Sequence, residues 1–499
     1  MSDRAALIET HISYVFLVGD RAYKLKKPIK TAFLDFSTQA ARLRACEREV
    51  ELNRRLSPDV YLGVSPVLDV GGLPCDSLVV MRRMPSDRSL SALVRSRADV
   101  GDEVRRIARL IAGFHSRAIR SPEASAAAGV DSVRANWEAN FEEMRDSIGP
   151  VFQADVAERV ETLVRKYLSG RALVFEERQK QGMGCDGHGD LKADDIFCLE
   201  DGPRILDCIE FNDHFRHGDV LADVAFLAMD LERLGASATA RAFLRSYVEF
   251  SGETHPESLA DHYVAYRAHV RAKVASIRHQ QGDKHAAAEA RRLLAICHRH
   301  LEQASVRLVL IGGLPASGKS TIAAKLSERL GWAVIRSDEV RKDLAAVGHG
   351  TSAAAAPGEG LYRPELVESA YMEMLRRARV ALERGVSVIL DATWREERTR
   401  EAARRLADAT CTDLIEIRCA APRELLRRRL ARRKAGAAMS SDATVDVLDR
   451  MEFEPWRATD VDTSVTVSKS LAAAVALTAP PASGRPALRT PWQQAPGGR

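Results

Sequence analysis

The sequence predicts a multidomain protein in which a two-lobed α+β unit precedes an α/β unit built on a mostly parallel sheet. Three observations carry this reading. At 499 residues the chain exceeds what one hydrophobic core usually organises. Its opening residues form short apolar runs broken by Gly19-Asp20 and Gly71-Gly72, and a long stretch of helical pattern follows. Beyond Val306, apolar strands alternate with helices in the manner of a parallel sheet.

Composition narrows the class. With 45% apolar and 29% charged residues, the chain is that of a folded protein. The formal charge of +5, from 74 basic and 69 acidic side chains, creates no strong field for nucleic acid or anionic lipid. The eight cysteines, at 46, 75, 185, 198, 208, 297, 411 and 419, show no C-x-x-C spacing and no companion histidine cluster, and they read as reduced core residues. The opening MSDRAALIETHISYVFL lacks the regions of a signal peptide, and no run approaches the ~20 apolar residues of a membrane span. The expectation is a cytoplasmic protein without membrane partners.

In chain order, YVFLVGDRAYKL gives two strands about Gly19-Asp20, suited to a type II′ turn. FSTQAARLRACEREVELNRRL then places Leu43, Cys46, Val50 and Leu56 at helical spacing, with Asp35 or Ser37 as cap. LGVSPVLDVGGLPCDSLVVMRRM adds two strands through Gly71-Gly72, and a mainly helical stretch runs from Leu90 to Leu168. The small lobe therefore occupies about residues 1–85 and the helical lobe about 86–304. A helix over 283–304 runs into the strand VRLVLI with no Pro/Gly/Ser-rich spacer, so the second domain is expected over 305–478. Its further strands are WAVIRS, VSVILD, LIEIRC and SVTVS, and the Pro-rich residues 479–499 read as a disordered tail.

Gly313-Leu-Pro-Ala-Ser-Gly318-Lys319-Ser320-Thr321 matches G-x-x-x-x-G-K-S/T directly after a strand. Gly313, Ser317, Gly318 and Thr321 belong to a loop whose N–H groups converge on phosphates; Lys319 reaches β and γ oxygens, and Ser320 supplies a Mg²⁺ ligand. ATP and Mg²⁺ are the cofactors this implies. Asp391 ends VSVIL, where a carboxylate near the metal is expected, or else a strand-end turn residue. Asp338 is either a base for an acceptor hydroxyl or a helix N-cap. RELLRRRLARRK is either a solvated basic face or a lid closing Arg429 and Arg433 over the phosphoryl group.

GGLPASGKST, IRSDEVRKDL, LDATW and LLRRRLARR resemble the zeta-toxin and polynucleotide-kinase-like P-loop kinases. The resemblance implies that Asp338 engages the acceptor hydroxyl and that Arg341 and Arg429 contact substrate or phosphate. His188-Gly-Asp190-Leu-Lys-Ala-Asp-Asp195-Ile resembles the H-G-D-L-x-x-x-N-I loop of aminoglycoside phosphotransferases, relatives of protein kinases. This implies Asp190 at the acceptor hydroxyl, Asp195 and Asp207 at Mg²⁺, and Lys24 at phosphate with Glu49 as ion-pair partner; Lys26 is the fallback for Lys24. Gly218-Asp219-Val-Leu-Ala-Asp223-Val-Ala matches that family's G-D-x-x-x-D-L-A, and VVMRRMP its interlobe hinge. Two departures stand out: no G-x-G-x-x-G loop precedes Lys24, leaving ETHIS at 9–13 to cover the phosphates, and Asp195 replaces the family's Asn.

The whole is similar to bacterial bifunctional aminoglycoside phosphotransferase and ATP-binding proteins. That resemblance implies ATP-dependent transfer to hydroxyl groups of small molecules. Two alternatives stay open, a nucleic-acid end kinase in the second half and an ATP-gated regulatory module with a degenerate first half. An aminoglycoside acceptor would need an acidic pocket, and sequence does not place Glu210, Asp213 or Asp230 around one.

Overall fold

The structure, a computed structural model, describes residues 6–10, 12–30, 34–345, 363–434 and 445–479. The chain divides into two compact units between Ala304 and Ser305, with Ser169–Arg171 grouped with the second.

The first unit opens with an antiparallel sheet of β1 (Ala6–Glu9), β2 (Ser13–Val18), β3 (Arg21–Lys26), β4 (Tyr61–Leu68) and β5 (Pro74–Arg82), in the order β1-β2-β3-β5-β4. Val18 pairs with Arg21, leaving Gly19-Asp20 as the turn; Gly19 takes φ 57° and Asp20 does not turn left-handed, as type II′ requires. β1 is an addition to the expected pattern. Its four residues are all exposed, so ALIE carries no alternation to betray a strand, and part of the segment expected to cover phosphates is the β1–β2 connection.

Behind the sheet lies the helix Gln39–Asn53, with Cys46 and Val50 buried and Leu43 exposed. Its cap is Thr38, whose hydroxyl accepts the Ala41 N–H at 3.2 Å. Asp35 instead receives the Ser37 N–H at 3.0 Å, a local turn that competes with capping.

The helical lobe packs Ile107, Ile111, Trp137, Phe175, Leu227 and Phe243 in one core. Two short antiparallel pairs project from it: β6 (Gly184–Asp186) with β9 (His217–Asp219), and β7 (Ile196–Leu199) with β8 (Gly202–Ile205). Between them runs the loop holding His188 to Asp195.

The second unit is a parallel sheet of β10 (Arg307–Gly312), β11 (Ala333–Arg336), β12 (Val388–Asp391), β13 (Asp413–Ala420) and β14 (Thr459–Asp462), in the order β11-β12-β10-β13-β14. Every residue of β10 is buried. Leu308 and Leu310 face one layer with Met374 and Leu390, whereas Val309 and Ile311 face the other with Ile322, Leu326 and Ile417. A strand covered on both faces needs a continuous apolar run, which residues 308–311, LVLI, supply.

The fifth strand lies upstream of the expected SVTVS. Val461 is the buried residue of β14, whereas Val465 and Val467 are exposed and the chain enters the helix Val467–Thr478. Packing overrides β-propensity there. The cysteines are all unpaired thiols, but Cys75 is exposed and Cys411 half-buried, so the core assignment holds for six of the eight. Among the described residues no helix is long and apolar enough to cross a membrane. Most of the expected tail lies outside the described residues.

Candidate functional site

In the second unit, β10 delivers the chain to a loop that only glycine can thread. At Gly313, with φ 137°, an added Cβ would meet the Cys419 carbonyl oxygen at 2.5 Å. Gly318, with φ 87°, stands at the N-cap of the helix Lys319–Leu330 and provides no capping side chain. The first-turn N–H groups, including those of Ser320 and Thr321, therefore lack a capping acceptor and add to the positive helix end. Ser317 is buried in the loop and its hydroxyl has no partner among the described residues.

Asp391, at the end of β12, is the register partner of Ile311 on β10. Burial raises its pKa, while the Lys319 charge and a hydrogen bond from Ser320 pull the other way. Its Oδ1 is buried without a hydrogen-bond partner among the described residues, and Arg336 Nε stands 4.0 Å from Oδ2. An orphaned carboxylate oxygen beside a serine hydroxyl fits a hard divalent cation.

Arg336 pairs with Asp391 in the sheet register, so the helix Ser337–Leu344 starts beside that carboxylate. Arg336 is its N-cap, and Asp338 lies inside the first turn. The capping alternative for Asp338 therefore fails. Its carboxylate forms an ion pair with Arg341 one turn on. Arg429 donates from Nη1 to the Ala316 carbonyl at 3.2 Å and from Nη2 to the Thr463 carbonyl at 2.6 Å, tying its helix to the phosphate loop. Arg427 instead pairs with Asp449 at 2.9 Å, and Arg432 is exposed. The Arg433 side chain lies outside the described residues.

In the first unit, β3 turns Lys24 and Lys26 to the same side, as alternation dictates. Both reach Glu49: Lys24 Nζ lies 2.8 Å from Oε1 and Lys26 Nζ 2.7 Å from Oε2. Their second partners separate them. Lys24 pairs with Asp207 at 2.7 Å, and Lys26 with Glu210. Burial works against the Lys24 ammonium, but Asp207 and Glu49 together hold its pKa well above the ordinary value. Lys24 in turn holds Asp207 below the usual carboxylate range. Asp207 takes φ 65°, and its N–H donates to the Tyr61 hydroxyl at 3.1 Å.

The loop after β6 is fixed from beneath. Asp223 accepts the His188 N–H on Oδ2 and the Gly189 N–H on Oδ1, both at 2.8 Å. The His115 ring, itself 2.8 Å from the Tyr247 hydroxyl, approaches Oδ2 at 3.1 Å. His188 accepts the Asp190 N–H at Nδ1 and donates from Nε2 to the Leu206 carbonyl, a tautomer assigned from these partners. Burial lowers its pKa, consistent with a neutral ring. Lys192 stands between two carboxylates, 2.9 Å from Asp190 and 3.0 Å from Asp195. Burial pushes Asp195 up to about 7 against the pull of Lys192.

Lys24, Glu49 and Asp207 are thus joined directly, and Asp190 and Asp195 through Lys192. Sequence reasoning did not give roles to Tyr61, Arg178 or Lys192. Lys192 carried a signal, two positions after Asp190 within the motif. Arg178 carried none, although it pairs within the protein interior with Asp219 and, at 2.8 Å, with Glu253.

The phosphotransferase enzyme family model matches residues 14–262, and the AAA domain model matches residues 308–454. Uncharacterized proteins of Mycobacterium tuberculosis and Mycobacterium bovis are 44% identical over 439 residues, covering 88% of this chain and 88% of theirs. The chain belongs to their family. It joins a phosphotransferase domain to a P-loop, kinase-like AAA domain. Among solved structures, a choline/ethanolamine kinase family protein from Mesorhizobium loti is 15% identical, covering 60% of this chain and 92% of that one at TM-score 0.38. The Mycobacterium tuberculosis APS kinase, in complex with AMPPNP and APS, is 19% identical and covers 35% of this chain and 98% of its own at TM-score 0.28.

Proposed function

We propose that this phosphotransferase–AAA protein moves the γ-phosphoryl group of ATP to hydroxyl groups of small molecules, with one site in each domain. The domain boundaries of that reading are 1–304 and 305–478. The observation that carries it is the buried, unpartnered Asp391 Oδ1 beside Ser320 and Lys319, at the mouth of a glycine-threaded loop. A buried carboxylate oxygen is costly to leave without a partner, and a Mg²⁺ ion held by Ser320 and Asp391 would satisfy it while neutralising phosphate charge.

In the AAA domain, Gly313, Ser317, Gly318 and Thr321 shape the phosphate cradle, and Lys319 supplies positive charge to the transferred group. Asp338 receives the acceptor proton, Arg341 orients the acceptor or the carboxylate, and Arg429 keeps the cradle in place. Arg433 belongs to the same lid. In the phosphotransferase domain, Lys24, aligned by Glu49, holds phosphate oxygens, Asp190 orients and deprotonates the acceptor, and Asp195 with Asp207 would hold Mg²⁺.

A second reading keeps nucleotide binding in the phosphotransferase domain but not transfer, making it regulatory. The lysine pairing of both Asp190 and Asp195 favours it. Labelled transfer from γ-labelled ATP into a metabolite extract tests both. Lys319→Ala and Asp190→Asn should each remove a different labelled product. Transfer unchanged in Lys319→Ala would dismiss the AAA site, and one product class lost only with Lys319 would select the regulatory reading.

A further inference from the structure

The acceptor side of the phosphotransferase site has an unbalanced charge. Three carboxylates could have formed a pocket for a polycation such as an aminoglycoside, and the structure commits all three elsewhere. Glu210 is buried against Lys26. Asp230 is buried, accepting the Ala193 N–H at 2.9 Å and pairing with Arg233 at 2.7 Å. Asp213 pairs with Arg216 at 2.5 Å and lies 3.7 Å from Arg48.

Two arginines of one nearby helix, by contrast, pair with no carboxylate among the described residues. Arg267, on the helix Glu257–Gln280, donates to the Gly189 carbonyl at 3.4 Å, one residue before Asp190, and to the Ala222 carbonyl at 3.0 Å. Its guanidinium lies over the Phe226 ring, 5.0 Å from the centroid, and 5.7 Å from that of Tyr266. Both hydrogen-bond acceptors are neutral carbonyls, and no carboxylate forms an ion pair with it among the described residues.

One turn further along the same helix, Arg271 is half-buried and its Nε has no hydrogen-bond partner among the described residues. Two guanidiniums at i and i+4 lie on one helix face and repel each other. A helix that keeps such a pair without counter-charge, beside the loop that carries Asp190, is suited to an anion that arrives from solution.

We propose that the acceptor of the phosphotransferase domain is an anionic alcohol, carrying a phosphate or carboxylate group that Arg267 and Arg271 receive while its hydroxyl faces Asp190. This rests on the phosphotransferase reading given above. In the transfer, the acceptor oxygen bonds to the γ-phosphorus as the bond to the β,γ-bridging oxygen breaks. The hydroxyl proton passes to Asp190, and ADP leaves.

The test uses the full chain with Lys319→Ala, so that the AAA site is silent, and γ-labelled ATP with four probes: glucose, kanamycin, glucose 6-phosphate and gluconate. Label is expected on one or both anionic probes and not on glucose or kanamycin, which also separates phosphate from carboxylate as the recognised group. Arg267→Gln and Arg271→Gln should each raise KM for the anionic probe about tenfold or more, with a smaller change in kcat, and the Lys variants should recover part of the loss. Arg271 anchors no backbone group, so Arg271→Gln should do this at unchanged thermal stability. Labelling of kanamycin or glucose at least as fast as the anions, or unchanged KM in both Gln variants, overturns the inference while leaving the phosphotransferase reading intact. No labelled probe, together with ATP binding that Lys24→Met does not weaken, removes the reading and the inference with it.

Discussion

Asp223→Asn should loosen the loop that presents Asp190, and the structure sets the size of the effect. The carboxylate accepts three donors, the His188 and Gly189 N–H groups and the His115 ring. An Asn side chain retains one acceptor oxygen. If that oxygen takes the Oδ2 position, it serves His188 and His115, and the new amide nitrogen faces the Gly189 N–H donor to donor. One buried N–H left unsatisfied costs about 1–3 kcal/mol, and losing the charge from the two remaining bonds costs about 1 kcal/mol each. The expected loss is about 3–5 kcal/mol at neutral pH. Native-state hydrogen exchange over the helix Gly101–Arg117, which carries His115 on its buried face, would read it as lowered protection of the first unit, with Asp190-dependent transfer falling in parallel. The dependence on pH follows from direction alone. Burial opposes the charge, but the His115 ring and the His188 N–H hold the Asp223 pKa below the ordinary carboxylate value, so the unfolded chain binds the proton more readily. Its contribution is complete above about pH 4 and fades as pH falls through that value, so wild type and Asp223→Asn should converge on acidification. A difference under about 1 kcal/mol at pH 7, or one that widens toward acid, would refute the reasoning.

Two further substitutions probe the assignments that sequence left double. Lys24→Met should weaken ATP binding at the phosphotransferase site at least about tenfold, because it removes the charge beside Asp207, whereas Lys26→Met should act on stability, costing about 3–5 kcal/mol by leaving Glu210 buried without its cation. Titrations of ATP and urea unfolding of the two variants separate these effects, and the opposite pattern would transfer the phosphate role to Lys26. Asp338→Asn should lower acceptor-dependent transfer by the AAA domain by about 10²–10⁴. As Asp338 is not the cap, the variant should lose no more than about 1 kcal/mol from its favourable place in the first helical turn. Wild-type transfer with a confirmed acceptor would remove Asp338 from the catalytic set.

The AAA half was legible because its site is local in sequence. A strand, a glycine-threaded turn and a helix start occupy one short segment, and Asp391 announces itself by ending a continuous apolar run. What could not be read there was the choice between competing local signals. Val465 and Val467 favour strand, yet β14 forms upstream, because Thr459–Asp462 has a register on β13 and its Val461 reaches the core. Asp338 and Arg336 both adjoin the helix start, and only the backbone shows which of them caps it.

The phosphotransferase half poses a different problem, since its motifs give the order of the carboxylates but not their counter-charges. Lys24 meets Asp207 across 183 residues and Lys26 meets Glu210 across 184, so each strand lysine chooses its partner only after the sheet and the helical lobe are formed. That choice determines which carboxylates remain for chemistry. Asp207, Asp195 and Asp190 all have a lysine partner, while Asp223 spends its charge on backbone N–H groups. On the proposed reading, a triphosphate and its cation enter this site by an exchange of partners: Lys24 toward phosphate, Asp207 toward metal. The glycine-rich loop that sequence failed to find would have supplied phosphate-binding N–H groups on the small lobe. On the proposed reading, Lys24 then has to supply more of the positive charge, and Lys26, held by Glu210, keeps Glu49 in place beside it.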